Sequence, residues 1–321
     1  MYRYIFRRLL MMIPVLLGVL FIIFVIIEIT PGDPAQIMLG ESARQEDVLK
    51  LREELGLNEP FIARFFGYVK GIVTELDLGI SYNTKRPVTE EILKRFPTTA
   101  LLAALSAVIS MFLGIFLGVI SATKQYTTFD NLATGIALFG VSIPNFWQGL
   151  MSIIIFSIWL GWFPASGSYG PEYWVLPALT LGTSSTATIM RITRSSMLEV
   201  IRQDYIRTAR AKGQNERVVI MKHALINALI PVITVGGLQF GVLLGGSVLV
   251  ESVFAIPGLG KYMIDAIKQR DFPVVQGGVL FLAIAFSFVN LLIDILYSLI
   301  DPRIKAMYKV NKKKKKEVAY E

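Results

Sequence analysis

The sequence contains no cysteine and one histidine, His223. The first absence excludes disulfides, thiol catalysis and thiolate-bound metals. The second leaves any metal site dependent almost wholly on carboxylates, and it offers a Ser-His-Asp arrangement a single candidate base. An intramembrane enzyme is therefore a poor reading. Charge is scarce as well: 17% of the 321 residues are Asp, Glu, Lys or Arg, against roughly 25% in an ordinary soluble domain. No phosphate cradle of the form GxxxxGK[ST] occurs. The nearest phrase, PGLGK at 257–261, has the wrong spacing. Internal repeats and charges at span centres are also missing, which argues against a self-sufficient secondary transporter or channel.

What the chain has instead is apolar length, with 54% hydrophobic residues. A soluble core of this size cannot absorb so much, so lipid is the expected solvent. A spanning helix needs about 20 apolar residues. Six segments qualify: Leu9–Ile29, Ala100–Ala122, Asn131–Trp162, Trp174–Met190, Ala228–Val250 and Val274–Ile293. The third is too long for one upright crossing, and Pro144 divides it into an interfacial or kinked part and a crossing over Pro144–Leu160. The first follows Arg3, Arg7 and Arg8 as a signal peptide does. Its apolar run is too long for one, however, and Thr30-Pro-Gly-Asp-Pro offers no cleavage site, so it is read as retained. With the N-terminus inside, twenty of the 32 Lys and Arg fall on the inner side. Nine of the outer ones lie in the long segment 30–99, which translocates regardless of charge; only three remain outside once it is discounted. Both termini are then cytoplasmic.

The expected fold class is an all-α polytopic membrane protein with six spans, N-in and C-in. Its parts are an N-terminal end and first helix (1–30), an extracytoplasmic helical segment (31–97), a core (98–300) and a basic tail (301–321). In the outer segment, Glu46–Leu57 places Val48, Leu49, Leu51, Leu55 and Leu57 near one helical face. Pro60 interrupts the pattern, and Phe61–Val73 resumes it with Phe61, Phe65, Phe66 and Val69. This cap either packs on the membrane domain or docks a soluble partner. The tail Lys312–Lys316 reads as a solvated end attracted to membrane lipid.

The inner segment 197–231 carries the most information. Two helical patterns, Met197–Lys212 and Glu216–Ile230, flank Lys212-Gly213, where glycine permits a left-handed turn or a close backbone approach. Eight basic residues lie between Arg191 and Lys222, interleaved with Thr208, Ala209 and Ala211. Small residues on a short helix suit insertion into a groove on another protein; a solvated basic loop that only sets topology is the other reading. His223 is expected at a surface or interface. Glu28, Glu251 and Asp294 stand near span ends and are expected in structural ion pairs, Asp294 with Arg191 or Arg194. Ser184, Ser185, Thr188, Gln239, Gly246 and Ser247 are small or polar positions within spans. Each either lines a pathway or permits close helix packing.

At Arg207–Gly213 (RTARAKG) the chain resembles the inner-membrane permease subunits of binding-protein-dependent ABC importers, of the dipeptide/oligopeptide type. That family's cytoplasmic loop has a Glu-Ala-Ala-x-x-x-Gly core, which its peptide branch varies toward this form. The general pattern's Ile-x-Leu-Pro is replaced here by His223-Ala-Leu-Ile226, with the proline at Pro231. Further segments similar to this branch are YRYIFRR at 2–8, TPGDP at 30–34, DLGIS at 77–81, Arg86–Val88 with RFPT at 95–98, and SIP at 142–144. They continue with RSSMLEV at 194–200, ESVFAIPGLG at 251–260, RDFPVVQG at 270–277 and the stretch Asn290–Arg303. Their order covers nearly the whole chain.

The resemblance implies a type I importer permease fold of about five core helices plus one N-terminal helix. It implies a paralogous permease as partner, two cytoplasmic ATPases that bind ATP and Mg, and an extracytoplasmic solute-binding protein. This chain would bind no cofactor, catalyse nothing itself and contact no nucleic acid. Its ATPase-coupling helix would comprise Gln203, Asp204, Tyr205, Arg207, Thr208, Ala209, Arg210, Ala211, Lys212 and Gly213. Arg207, Arg210 and Lys212 would pair with acidic groups of the ATPase. Peptides are the default cargo, with nickel, glutathione or oligosaccharides as alternatives within the same class.

Overall fold

A computed structural model describes residues 2–40 and 42–300, which are helical with no β-strand among them. The basic tail 301–321, with Lys312–Lys316 and Arg303, lies outside the described residues. The helices run in the order α1 (Tyr2–Ile29), α2 (Pro34–Leu39), α3 (Gln45–Glu54), α4 (Phe61–Glu75), α5 (Val88–Thr123), α6 (Thr128–Ser142) and α7 (Asn145–Ser152), with α7 continued by a π-helical turn over Ile153–Trp159. After a 3-10 turn come α8 (Val175–Ile201), α9 (Asp204–Ala211) and α10 (Glu216–Val218). A wide π-helical stretch, Val219–Leu225, then leads into α11 (Ile226–Val253), followed by α12 (Leu259–Lys268) and α13 (Phe272–Ile300).

Among the described residues, four helices are long and apolar enough to cross a bilayer: Ile5–Ile29, Val88–Thr123, Glu216–Val253 and Phe272–Leu296. A fifth crossing arises if α6 and the helix over Asn145–Trp159 count as one, although the two are bent by 100° about Ile143 and Pro144. Proline as N-cap has no N–H to continue the α6 ladder, so the chain turns where the sequence places Pro144. The expected fourth span, Trp174–Met190, lies in a 27-residue helix, α8, that does not meet the same apolar criterion. Its position explains this. α8 is central, packed against α5, α6, α7 and α11, and five of its threonines and serines face neighbouring helices rather than lipid. Thr180, Ser185, Thr186, Thr193 and Ser196 are all buried.

α5 and α8 approach closely. A Cβ at Gly114 would stand 2.6 Å from the Ile189 Cβ, and one at Gly118 would stand 2.5 Å from the Thr193 Cβ. This Gly-x-x-x-Gly pair lets the backbones meet, which is how helices gain dispersion energy where no hydrophobic effect drives them together. α5 also begins earlier than its uncharged run suggests, at Val88. The buried charge in its first turns is neutralised: Glu91 pairs with both Arg86 and Arg95. Arg95 in turn stacks 4.1 Å above the Tyr262 ring. Residue 97, the expected end of the outer segment, therefore falls inside α5, so the outer segment and the core share a helix.

Segment 31–97 packs on the membrane helices. Phe65, Leu78, Val88 and Ile92 share a core with Leu20 and Phe24 of α1, Leu259 and Met263 of α12, and Val274 of α13. On α3 only Val48 of the expected face is buried, while Leu49 and Leu55 are exposed. Several separate sequence segments meet here. Buried Asp271 accepts hydrogen bonds from Ser81 Oγ (2.5 Å), Tyr82 N (3.0 Å) and Asn83 (3.3 Å). A Cβ on Gly277 would strike Val88, 2.8 Å away. Glu251 is fully buried and accepts from Lys261 N at 3.0 Å, at the start of α12. The DLGIS, ESVFAIPGLG and RDFPVVQG segments are thus one structural layer.

Candidate functional site

The end of the bundle where α8 gives way to α11 presents a short, mostly exposed helix, α9. The sequence pattern suggests one helix over Met197–Lys212. The structure breaks it: α8 ends at Ile201, and Gln203 is extended (φ −71°, ψ 151°) as the N-cap of α9. This break turns α9 so that Ile206, its one buried residue, enters a cluster with Ala122, Met197, Val219, Ala224, Leu225 and Ala228. Those residues come from the inner ends of α5, α8 and α11 and from the π-helical stretch before α11. The second pattern, Glu216–Ile230, is the start of the unbroken helix Glu216–Val253.

Apart from Ala209, which packs against the same cluster, the rest of α9 points outward. Gln203, Asp204, Tyr205, Arg207, Thr208, Arg210, Ala211, Lys212 and Gly213 are exposed, and Ala209 is half-buried. Asp204 in the first turn and Arg210 in the last complement the helix dipole. The C-terminal end closes as a Schellman turn: Gln214 N donates to Ala209 O (3.4 Å) and Gly213 N to Arg210 O (2.9 Å). Gly213 takes φ +73°, and nothing lies within 4 Å of where its Cβ would be. Glycine is therefore required for the left-handed turn, not for close approach.

Electrostatics fix the turn from outside. Arg210 Nε and Nη2 grip both oxygens of Glu216 at 3.0 and 2.6 Å, and the carboxylate raises the guanidinium pKa above its ordinary value. Asn215 Oδ1 accepts from Arg217 N, capping α10. Half-buried His223 meets Gln214 Oε1 at 2.8 Å. Arg207 lies 3.7 Å from Asp204, both well exposed, a contact worth little in water. Lys212 makes no ion pair among the described residues. Of the three cations expected to meet a partner's acids, Arg210 is thus engaged within its own loop.

Behind this helix lies a polar network that the sequence did not suggest. Arg194 of α8 donates from Nε (3.2 Å) and Nη2 (2.9 Å) to the two oxygens of Asp130 on α6. Ser121 of α5 donates to the same carboxylate, as does Tyr126 N at 3.0 Å. Asp130 is 5% exposed. One half-buried ion pair, with its carboxylate buried and its guanidinium partly exposed, thus ties three helices together, within two turns of where α8 gives way to α9. Asp294, expected to hold Arg191 or Arg194, pairs instead with Arg8 of α1 at 3.0 Å, because α13 packs beside α1. Glu28 pairs with Arg64 of α4.

The pathway candidates divide. Ser185 and Ser247 are buried, and Ser247 Oγ donates to Leu244 O (2.9 Å). Ser184 is half-buried and donates to Leu181 O (2.7 Å). Thr188 and Gln239 are half-buried, while Gly246 is exposed. A further polar pair, Gln148 and Thr183 (2.8 Å), joins α7 to α8.

Two family models match the chain. The Binding-protein-dependent transport system inner membrane component covers residues 114–306, and the corresponding N-terminal membrane component covers 1–103. The dipeptide transport system permease protein DppB of Alkalihalophilus pseudofirmus is 46% identical, over 95% of this chain and 100% of that protein. The glutathione transport system permease protein GsiC of an Escherichia coli strain is 42% identical, over 95% and 99%. Among solved structures, an inward-facing form of the MetNI methionine ABC transporter aligns with TM-score 0.56 at 18% identity, over 66% of this chain and 96% of that one. That likeness supports the helical architecture.

Proposed function

The chain belongs to the inner-membrane component family of binding-protein-dependent transport systems, and from that membership we propose that it is one permease subunit of an ATP-driven peptide importer. It forms half of a translocation pathway, and a paralogous permease forms the other half. ATP and Mg bind two cytoplasmic ATPases, and a solute-binding protein delivers cargo from outside. The observation that carries this reading is α9: a rigidly capped, outward-facing helix anchored by one buried isoleucine to the inner ends of three membrane helices. A bare topogenic loop needs no such anchoring. Force applied to α9 is transmitted through Ile206 to α5, α8 and α11 together.

α8 completes six crossings, which puts both termini on the cytoplasmic side with α9. Its 27 residues rise about 40 Å, enough to span the bilayer at its central, lipid-shielded position. Di- or oligopeptides are the proposed cargo, supported by the dipeptide permease relative. Glutathione, itself a small peptide, is the second reading, supported by the 42% identical glutathione permease. Affinity purification of the tagged chain tests the assembly: a second permease and two ATPases are expected to co-elute, and ATP-dependent peptide uptake is expected in proteoliposomes once the binding protein is added. Uptake by the chain alone without ATP would overturn the proposal.

A further inference from the structure

We propose that α4 is an in-plane helix sunk into the lipid leaflet at the Glu28 end of α1, with Ile62, Phe66 and Val73 immersed among acyl chains. The depth follows from α1. Between Arg8, paired with Asp294, and Glu28, paired with Arg64, every residue is uncharged. Twenty residues of helix rise about 30 Å, the thickness of the hydrocarbon core, so these two ion pairs mark its two faces. Phe24 and Phe21 then lie roughly 6 and 10 Å inside the boundary, by the same rise per residue.

α4 reaches that depth. Phe61 meets Phe21 at 5.9 Å and Phe24 at 5.5 Å between ring centroids, and Phe65 meets them at 5.5 and 5.6 Å. Phe61, Phe65 and Tyr68, on three successive turns of α4, all converge on the single Phe24 ring (5.5, 5.6 and 6.1 Å), so α4 crosses α1 instead of running alongside it. Arg64, between them in sequence, rises to Glu28 at the boundary with its guanidinium 6.0 Å above the Phe24 ring.

At 100° per residue the helix then divides into three sectors. Phe61, Phe65, Tyr68 and Ile72 pack toward α1 and the outer core. Ala63, Gly67, Lys70 and Thr74 form a small and polar sector, all exposed. The third sector holds Ile62, Phe66 and Val73, which are 55%, 63% and 76% exposed. Water does not reach their level, and neither does a soluble partner approaching from water. The stripe is continuous with the lipid face of α1, where Phe21 and Ile22 are also exposed. An amphipathic helix of this kind sinks its apolar face some ~5–10 Å into the headgroup and acyl boundary.

The absence of cysteine makes the test direct. Full-length Ile62→Cys, Phe66→Cys, Val73→Cys, Ala63→Cys and Thr74→Cys chains are each spin-labelled, reconstituted in phosphatidylcholine vesicles, and probed with oxygen and with a water-soluble nickel chelate. The first three labels are expected to collide preferentially with oxygen, and the last two preferentially with nickel. The proposal is overturned if nickel reaches all five positions equally, or if the three apolar positions are shielded from both reagents.

Discussion

Gly213 is the residue whose chemistry is most exposed to test. A side chain there meets no neighbour, so the cost of replacing it is the left-handed backbone alone, about 1–2 kcal/mol for an ordinary L-residue. That is too little to unfold a bundle and enough to unwind the end of an eight-residue helix. Gly213→Asp is expected to insert at normal levels yet abolish transport and the coupling of ATP hydrolysis to it; normal uptake by this variant would remove α9 from the account. Arg194 and Asp130 make a second case. Removing Arg194 leaves the buried Asp130 carboxylate without its counter-charge, held by Ser121 and Tyr126 N alone. Arg194→Ala is expected to lower the melting temperature in detergent more than Arg191→Ala, whose side chain is exposed; equal shifts would show that the network bears no load. Gly213 was legible in the sequence because its signal is local. Asp130 was not: its partner lies 64 residues away, and spacing along a chain carries no record of such contacts. The same lack sent Asp294 to the wrong arginine.

At the level of helices, the anchoring of α9 rests on Ile206. Cutting a buried isoleucine to alanine typically costs 2–5 kcal/mol where the cavity cannot collapse, by the usual estimate of roughly that range. Ile206→Ala is expected to leave assembly with the ATPases intact while ATP hydrolysis proceeds with little uptake, since the helix is then held but not linked to the membrane. Unchanged uptake per ATP would contradict this. The contact of α5 with α8 is just as narrow. Gly118→Leu forces the two backbones apart, and reduced yield of folded protein by size-exclusion chromatography is the expected result; Gly135→Leu, where nothing lies within 4 Å, serves as the tolerant control. Long apolar runs and Pro144 made most of these elements readable, down to the bend between α6 and α7. Two features escaped. The start of α5 was hidden because Glu91 and Arg95 look like solvent charges until their pairing is seen. The break before α9 was hidden because Arg202 and Gln203 carry no breaker residue, and tertiary packing of Ile206 decides it.

Across the whole molecule, the segments that carried the family resemblance serve two different ends. DLGIS, ESVFAIPGLG and RDFPVVQG meet in one outer layer, joined by Asp271 and Glu251, where they hold α4, α5, α11, α12 and α13 in register. RTARAKG sits at the opposite end as an open surface. On the proposed reading, the first is a fixed frame and the second a lever offered to a partner. The most direct measurement is site-specific photo-crosslinking from α9 in the assembled transporter. A benzophenone amino acid at Thr208 or Ala211 is expected to give a covalent adduct with the ATPase subunit, and the same group at Thr74 is expected to give none. Co-purifying ATPase that forms no adduct from either α9 position would contradict the account.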